Sequence, residues 1–159
     1  MGVVYLLTGS NQGDKSKLLA KAKEMLTDFV DIITFSGIYE SDAWGLEDQP
    51  PFYNQVIIGS TVLSPDILLK KILDTEIIIG RVKKVKWGQR LIDIDILYYD
   101  DLIVNRPGLI IPHPYIQERR FTLMPLAELV PGKEHPVFRK TQAQLLEYCK
   151  DVLKVRLIT

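Results

Sequence analysis

A single cysteine, Cys149, rules out any intrachain disulfide and makes a cysteine-based structural zinc site untenable. Long apolar runs are missing as well: stretches such as Ile77–Ile79 and Leu109–Pro112 are far too short to span a bilayer. The opening Met-Gly-Val-Val-Tyr-Leu-Leu has no basic lead-in, and its apolar run is too short for a signal h-region. Leu6 stands where an N-myristoylation signal needs Ser or Thr. Charge of one sign is also lacking. Twenty Lys+Arg offset twenty Asp+Glu, so no global field draws nucleic acid or an anionic membrane, and any basic patch is local. No repeat, low-complexity tract or Ser/Gly/Pro-rich linker divides the 159 residues, a length that fits one domain with a proper core. The expectation is a cytoplasmic, monomeric protein with residues 1–159 forming a single domain and with no nucleic-acid or membrane partner.

What is present reads as alternating strands and helices. Val3–Thr8 is a short apolar run ending at Gly9-Ser10-Asn11, a buried strand followed by a turn. Asp14 can cap a helix whose apolar stripe is Leu18, Leu19, Ala22, Met25 and Leu26. Ile32–Tyr39 reads as a second strand, 41–51 as a loop, and Tyr53–Leu63 as a long strand. Ser64-Pro65-Asp66 has the serine cap, N1 proline and early acid of a helix start, and Gly80 ends that helix. A basic loop then leads to a strand over Leu91–Tyr99, which Asp100-Asp101 turns back into a short partner at Leu102–Asn105. Phe121–Val130 is predicted helical despite Pro125, and Thr141-Gln142-Ala143-Gln144 has capping-box form and opens a last helix through Tyr148. The order predicts an α+β fold: a ferredoxin-like βαββαβ sandwich with C-terminal additions, its antiparallel sheet flanked by helices.

The most informative stretch is Leu91-Ile92-Asp93-Ile94-Asp95-Ile96-Leu97. Residues two apart on a strand share a face, so Asp93 and Asp95 project together while Ile92, Ile94 and Ile96 pack opposite. Paired carboxylates repel unless a cation lies between them, and Mg²⁺ takes carboxylate oxygens while sharing its other positions with water and phosphates. The pair reads either as a metal–phosphate platform or as the solvated face of an edge strand. Arg81, Lys83, Lys84, Lys86, Trp87 and Arg90 precede it closely. Such cations could be plain salt-bridge partners, or could grip a triphosphate whose other side the metal neutralises. Nucleic-acid binding fits less well, because the acids would repel the phosphate backbone.

Gly9 to Ser16 resembles a phosphate-binding P-loop in context but not in register. That motif needs glycine just before its lysine, so that backbone N–H groups cradle phosphate. Here Asp14 precedes Lys15, and a carboxylate at a helix N-terminus competes with a bound anion. A strand-to-helix turn capped by Asp14 is the better reading.

With these pieces assembled, the sequence resembles the 6-hydroxymethyl-7,8-dihydropterin pyrophosphokinases of folate biosynthesis over nearly its whole length. The similarity rests on Leu7-Thr-Gly-Ser-Asn11, on Tyr39-Glu-Ser41 with Gly45 and Gln49, and on Phe52-Tyr-Asn54. It continues through Glu76, Gly80-Arg81 and the specific run Trp87-Gly-x-Arg90-x-x-Asp93-x-Asp95-Ile96-Leu97, and closes on Pro112-His113-Pro114 and Arg119-Arg120-Phe121. The resemblance implies an enzyme that binds ATP with two Mg²⁺ ions and a dihydropterin, and Asp93 and Asp95 match the metal-binding positions. Arg81, Arg90 and His113 match nucleotide contacts, Glu76 lies near the adenosine, and Lys83 and Ile96 join the ATP set. Phe52 and Asn54 match the pterin pocket, with Ser41 and Trp44 beside it, Trp87 and Phe121 flanking the ring, and Arg119 on the substrate side. Ring stacking and an amide partner suit a flat pterin, although without the resemblance Phe52 and Phe121 read first as core residues, and His113 reads equally as a turn residue able to meet phosphate neutral or charged.

Two stretches depart from the family pattern. The segment between Arg81 and Trp87 is a residue shorter than in familiar members and carries lysines where arginines are common, which loosens phosphate geometry. Ser41-Asp42-Ala43-Trp44 also replaces a threonine- and proline-rich run. The implied chemistry is in-line attack by the pterin hydroxymethyl oxygen on the β-phosphorus of ATP, with Arg81, Lys83 and Arg90 stabilising the departing AMP. Two rivals are a ferredoxin-like module that binds without turnover and a different Mg²⁺-dependent phosphotransferase releasing ADP.

Overall fold

A computed structural model describes residues 1–42, 49–80 and 91–159. Three helices begin where side-chain caps satisfy otherwise orphaned N–H groups. Asp14 accepts from the Lys17 N–H at the start of α1 (Lys15–Leu26). Ser64 does the same for Ile67 at the start of α2 (Pro65–Ile79), which stops at Gly80. Thr141 and Gln144 cap each other reciprocally at the start of α4 (Gln142–Tyr148). The remaining helix, α3 (Arg120–Leu129), is capped from a distance: the Asp151 carboxylate accepts from the Arg120 N–H at 3.0 Å. Pro125 sits inside α3 and is buried. Among the described residues no helix is long and apolar enough to cross a membrane.

The main sheet contains β1 (Gly2–Ser10), β2 (Asp31–Phe35), β3 (Tyr39–Ser41), β4 (Phe52–Thr61), β5 (Asp93–Tyr99) and β8 (Val155–Leu157). Its order is β5-β1-β4-β3-β8, with β2 also on β4, and every pairing is antiparallel. With α1 and α2 on one face, this is the predicted ferredoxin-like α+β arrangement. One core lies on that face, where Leu6, Ile57, Ile92, Ile94 and Ile96 meet Leu19, Leu26, Leu68 and Ile72. A second core lies on the other face, where Leu7, Val56, Ile58 and Leu97 meet Leu123 and Leu126 of α3 and Leu145 of α4. Full burial of a Leu or Ile contributes about 1.5–3 kcal/mol.

A bulge in the β1–β5 pairing matters for the site. Leu6 pairs with Ile96 but Tyr5 with Tyr98, so Leu97 is an extra residue on β5. Leu97 and Tyr98 consequently both pack in the second core, while Tyr99 returns to the first.

Two expectations need correction, and one strand is an addition to them. The strand predicted over Ile32–Tyr39 is two strands, β2 and β3, because the chain breaks out of the ladder at 36–38. There the Ser36 hydroxyl takes over from the backbone, accepting from the Val56 N–H at 3.0 Å, and Gly37 N–H turns to the Glu128 carboxylate. The segment predicted to pair with Leu91–Tyr99 pairs elsewhere: β6 (Val104–Arg106) forms a separate hairpin with β7 (Leu109–Ile111) through Pro107-Gly108. Gly108 at φ 83 after a proline suits a type II turn, which gives β6 a nearer partner. The C-terminal strand β8 was not foreseen; it completes the sheet edge beside β3.

Candidate active site

The strand periodicity that places Ile92, Ile94 and Ile96 in the helical core puts Asp93 and Asp95 on the opposite face. Near them that face opens as a cavity of about 410 Å³. Its walls include Ser41, Phe52, Asn54, Asp93, Asp95, His113, Arg119 and Phe121, so eight residues predicted for substrate or metal converge there. Ile96 lines an adjoining groove of about 250 Å³ with Leu69, Asp95, His113 and Pro114. Glu76 is placed behind β5, where its carboxylate accepts from the Ile94 N–H at 2.8 Å and ties α2 to the aspartate strand. Trp44, Arg81, Lys83, Trp87 and Arg90 lie outside the described residues.

Register across the sheet fixes the geometry. Gly9 on β1 pairs with Asn54 on β4 and with Asp93 on β5, a row of three residues. Two interstrand steps separate Asn54 from Asp93, roughly 9.6 Å along the hydrogen-bonding direction. The middle residue has no side chain. A Cβ on Gly9 would come within 2.5 Å of the Asn54 Nδ2, so glycine keeps the floor of the cavity open and the amide in place.

The two ends of the row differ chemically. Asn54 is buried, and its Nδ2 donates to the Thr8 carbonyl at 3.3 Å, which orients the amide. Its Oδ1 and the Ser41 hydroxyl are buried with no partner among the described residues. Buried polar atoms are seldom left unpaired, so this end suits a ligand that presents N–H groups. Phe121 adds an apolar wall to the cavity and also packs in the second core.

The other end is ionic. His113 Nδ1 accepts from the Tyr115 N–H at 3.1 Å, and Nε2 lies 3.8 Å from the Asp95 Oδ2. Burial first, and the Arg119 charge second, pull the His113 pKa down to about 4. The ring is therefore neutral at pH 7, and with Nδ1 occupied its proton sits on Nε2, facing Asp95. This contact is a polar one, not an ion pair.

The Arg119 guanidinium lies 4.9 Å from the Tyr115 ring centroid and 5.5 Å from that of Phe121, which compensates part of its desolvation. Burial lowers its pKa while Asp95 opposes that shift, and a guanidinium stays charged throughout. Among the described residues no group of three or more His, Cys, Asp or Glu could enclose a metal ion. Two carboxylates without a nitrogen or sulfur cage fit a hard cation such as Mg²⁺, which draws its other ligands from phosphate oxygens and water.

Sequence reasoning missed Leu7, Gly9, Asp42, Pro114 and Tyr115 in the lining. Gly9 was within reach as part of the Gly-Ser-Asn turn. Tyr115 was not, because its position depends on the 3₁₀ turn over Ile116–Glu118. Asp151, which caps the helix that carries Phe121, gave no local signal either.

Residues 5–131 match the family model described as 7,8-dihydro-6-hydroxymethylpterin-pyrophosphokinase (HPPK). The chain is 45% identical over 140 residues to the 2-amino-4-hydroxy-6-hydroxymethyldihydropteridine pyrophosphokinase of Aquifex aeolicus, covering 88% of each. Against the protein of that name from Methylorubrum extorquens it is 42% identical over 129 residues, 80% of this chain and 82% of the other. The folic acid synthesis protein FOL1 of Dictyostelium discoideum is 41% identical over 139 residues, which are 87% of this chain but 21% of that one. Wild-type Plasmodium falciparum HPPK-DHPS superposes with a TM-score of 0.73 at 17% identity, over 92% of this chain and 44% of that chain. That likeness concerns the fold, and this chain spans less than half the length of the solved protein.

Proposed function

Because the chain belongs to the 7,8-dihydro-6-hydroxymethylpterin-pyrophosphokinase family, we propose that it transfers the pyrophosphoryl group of ATP to 6-hydroxymethyl-7,8-dihydropterin and releases AMP, in folate biosynthesis. The observation that carries the reading is the row Asn54–Gly9–Asp93, which sets an N–H acceptor site and an acidic site at opposite ends of one open cavity. The pterin's amide edge would meet Asn54 Oδ1 and Ser41 Oγ, with the ring against Phe121 and Phe52. Its hydroxymethyl group would then point across β1 toward Asp93 and Asp95.

Asp93 and Asp95 would hold two Mg²⁺ ions together with ATP, and bound ions offset the triphosphate charge and align it for in-line displacement. Arg119 supplies a fixed positive charge beside the acids, and neutral His113 supplies an Nε2–H donor for a phosphate oxygen. The adenosine would lie along the groove at Ile96 and Leu69. By the family resemblance, Arg81, Lys83 and Arg90 would contact the nucleotide and Trp87 the pterin ring. The proposed setting is the cytoplasm, with the chain acting as a monomer.

Incubation with ATP, Mg²⁺ and hydroxymethyl dihydropterin should yield AMP and the pyrophosphorylated pterin. ADP as the nucleotide product would point to a different phosphotransferase, and binding without turnover to a binding module. Asp95→Ala should abolish turnover while leaving the circular dichroism spectrum and cooperative unfolding intact. Turnover near the wild-type rate in that variant would remove Asp95 from the metal site.

A further inference from the structure

The turn between β1 and α1 stands where a P-loop would, yet its lysine is turned to a different task. Gly13 adopts φ 69, a left-handed conformation that suits glycine, and delivers the chain to the Asp14 cap. Lys15, the first residue of α1, places Nζ 3.0 Å from the Pro51 carbonyl oxygen and 4.4 Å from the centroid of the Tyr53 ring. Asn11 of the same turn donates from Nδ2 to the Pro50 carbonyl at 3.4 Å. Three contacts thus run from one turn to residues 50–53.

The chemistry of that segment explains the donors. Two consecutive prolines have no N–H to offer, so only their carbonyls can be tied down, and each needs a donor from elsewhere. Beyond them β4 begins, and strand alternation separates its first residues. Phe52 and Asn54 line the cavity, while Tyr53 turns to the other face, under Lys15. Lys15 therefore grips β4 from the side opposite the cavity, where it touches neither the acids nor a substrate.

We infer that Lys15 is a positioning residue for the pterin site: its ammonium, bound to the Pro51 carbonyl and seated on Tyr53, holds the start of β4 so that Phe52 and Asn54 keep their place in the cavity wall. This rests on the pterin placement proposed above. It also accounts for the lysine that the rejected P-loop reading left without a role.

The test is steady-state kinetics on Lys15→Met and Lys15→Arg, with Asn54→Ala as a reference. Lys15→Met should raise KM for the dihydropterin about tenfold, the equivalent of one charge-assisted hydrogen bond of about 1.4 kcal/mol. Its kcat and its KM for ATP should stay within about twofold, and Tm should fall by less than about 4 °C. Lys15→Arg keeps a donor and a cation over the ring and should recover most of the pterin affinity. If Asn54→Ala raises the pterin KM but Lys15→Met does not, the clamp is wrong and the pterin placement stands. If Asn54→Ala leaves that KM unchanged, the placement is wrong and the clamp falls with it. An equal rise in both KM values for Lys15→Met, or no recovery in Lys15→Arg, would reduce Lys15 to a general structural role and overturn the inference.

Discussion

His135 lies 3% exposed between Tyr98 and Phe138, and its Nδ1 is committed as an acceptor for the Val137 and Phe138 N–H groups at 3.1 and 3.2 Å. A second proton would have to sit on that nitrogen, against two donors. Burial first, and the nearby Lys133 charge second, hold its pKa down at about 4, below an unfolded value of about 6.5. Between those values the unfolded chain takes up a proton that the fold refuses. The stability contributed by the neutral ring is therefore complete above pH 6.5 and is lost as pH falls toward 4. Asparagine offers an oxygen near the place of Nδ1, so His135→Asn should keep the two backbone bonds and lose the titration. Its Tm should be lower at neutral pH, but the decline from pH 6.5 to 4 should be shallower than in the parent. Carboxylates common to both proteins cancel in that difference, and parallel Tm profiles would contradict the assignment.

At the scale of elements, the break between β2 and β3 is held by side chains distant in sequence. Glu128 on α3 accepts from the Gly37 N–H and from the Tyr39 hydroxyl at 2.7 Å, while Gln55 donates to the Ser36 carbonyl at 2.7 Å. The chain end then closes over the break, since Ile38 donates to the Thr159 carbonyl and Ile158 to that of Ile38. A Cβ on Gly37 would come within 2.5 Å of both the Leu157 side chain and the Thr159 carbonyl. Gly37→Ala should cost about 1–3 kcal/mol in denaturant unfolding, and the Ile38 and Ile158 amides should lose hydrogen-exchange protection before β1 or β4 does. The same element shows why local reading failed there. Asp14, Ser64-Pro65 and Thr141-x-x-Gln144 declared their helices because a cap and its donor lie within one turn. Nothing in 32–39 announces Glu128, Gln55 or Thr159, but Ser36-Gly37 is a local breaker inside the apolar run, and the one-strand reading passes over it. The β6–β7 hairpin was missed for the opposite reason: Pro107-Gly108 is a local turn signal, but Asp100-Asp101 competed with it for the same segment.

On the scale of the molecule, the cavity and the second core lie on the same face of the sheet and meet at a boundary. Leu7 packs in the second core and also lines the cavity, so it marks that boundary. The acidic half of the site was legible in the sequence, since period two alone puts Asp93 and Asp95 together, away from Ile92, Ile94 and Ile96. Its distance from Asn54 was not, because that distance is a property of strand order: β1 must lie between β4 and β5 for Gly9 to face both. Gly9 is therefore where the two halves can be separated by experiment. Alanine there would press on the Asn54 Nδ2, so it should displace the amide from its bond to Thr8 and weaken the dihydropterin, leaving KM for ATP close to that of the parent. We expect a pterin KM raised about tenfold or more, the scale of one lost buried hydrogen bond to the substrate. A double-mutant cycle identifies the route. If Gly9→Ala acts through the Asn54 amide, it should do little further harm once Asn54→Ala has removed that group, and the two effects should be strongly non-additive. Additive losses in KM would mean that the glycine's role lies elsewhere, and that the row across β4, β1 and β5 does not set the spacing between the pterin and the acids.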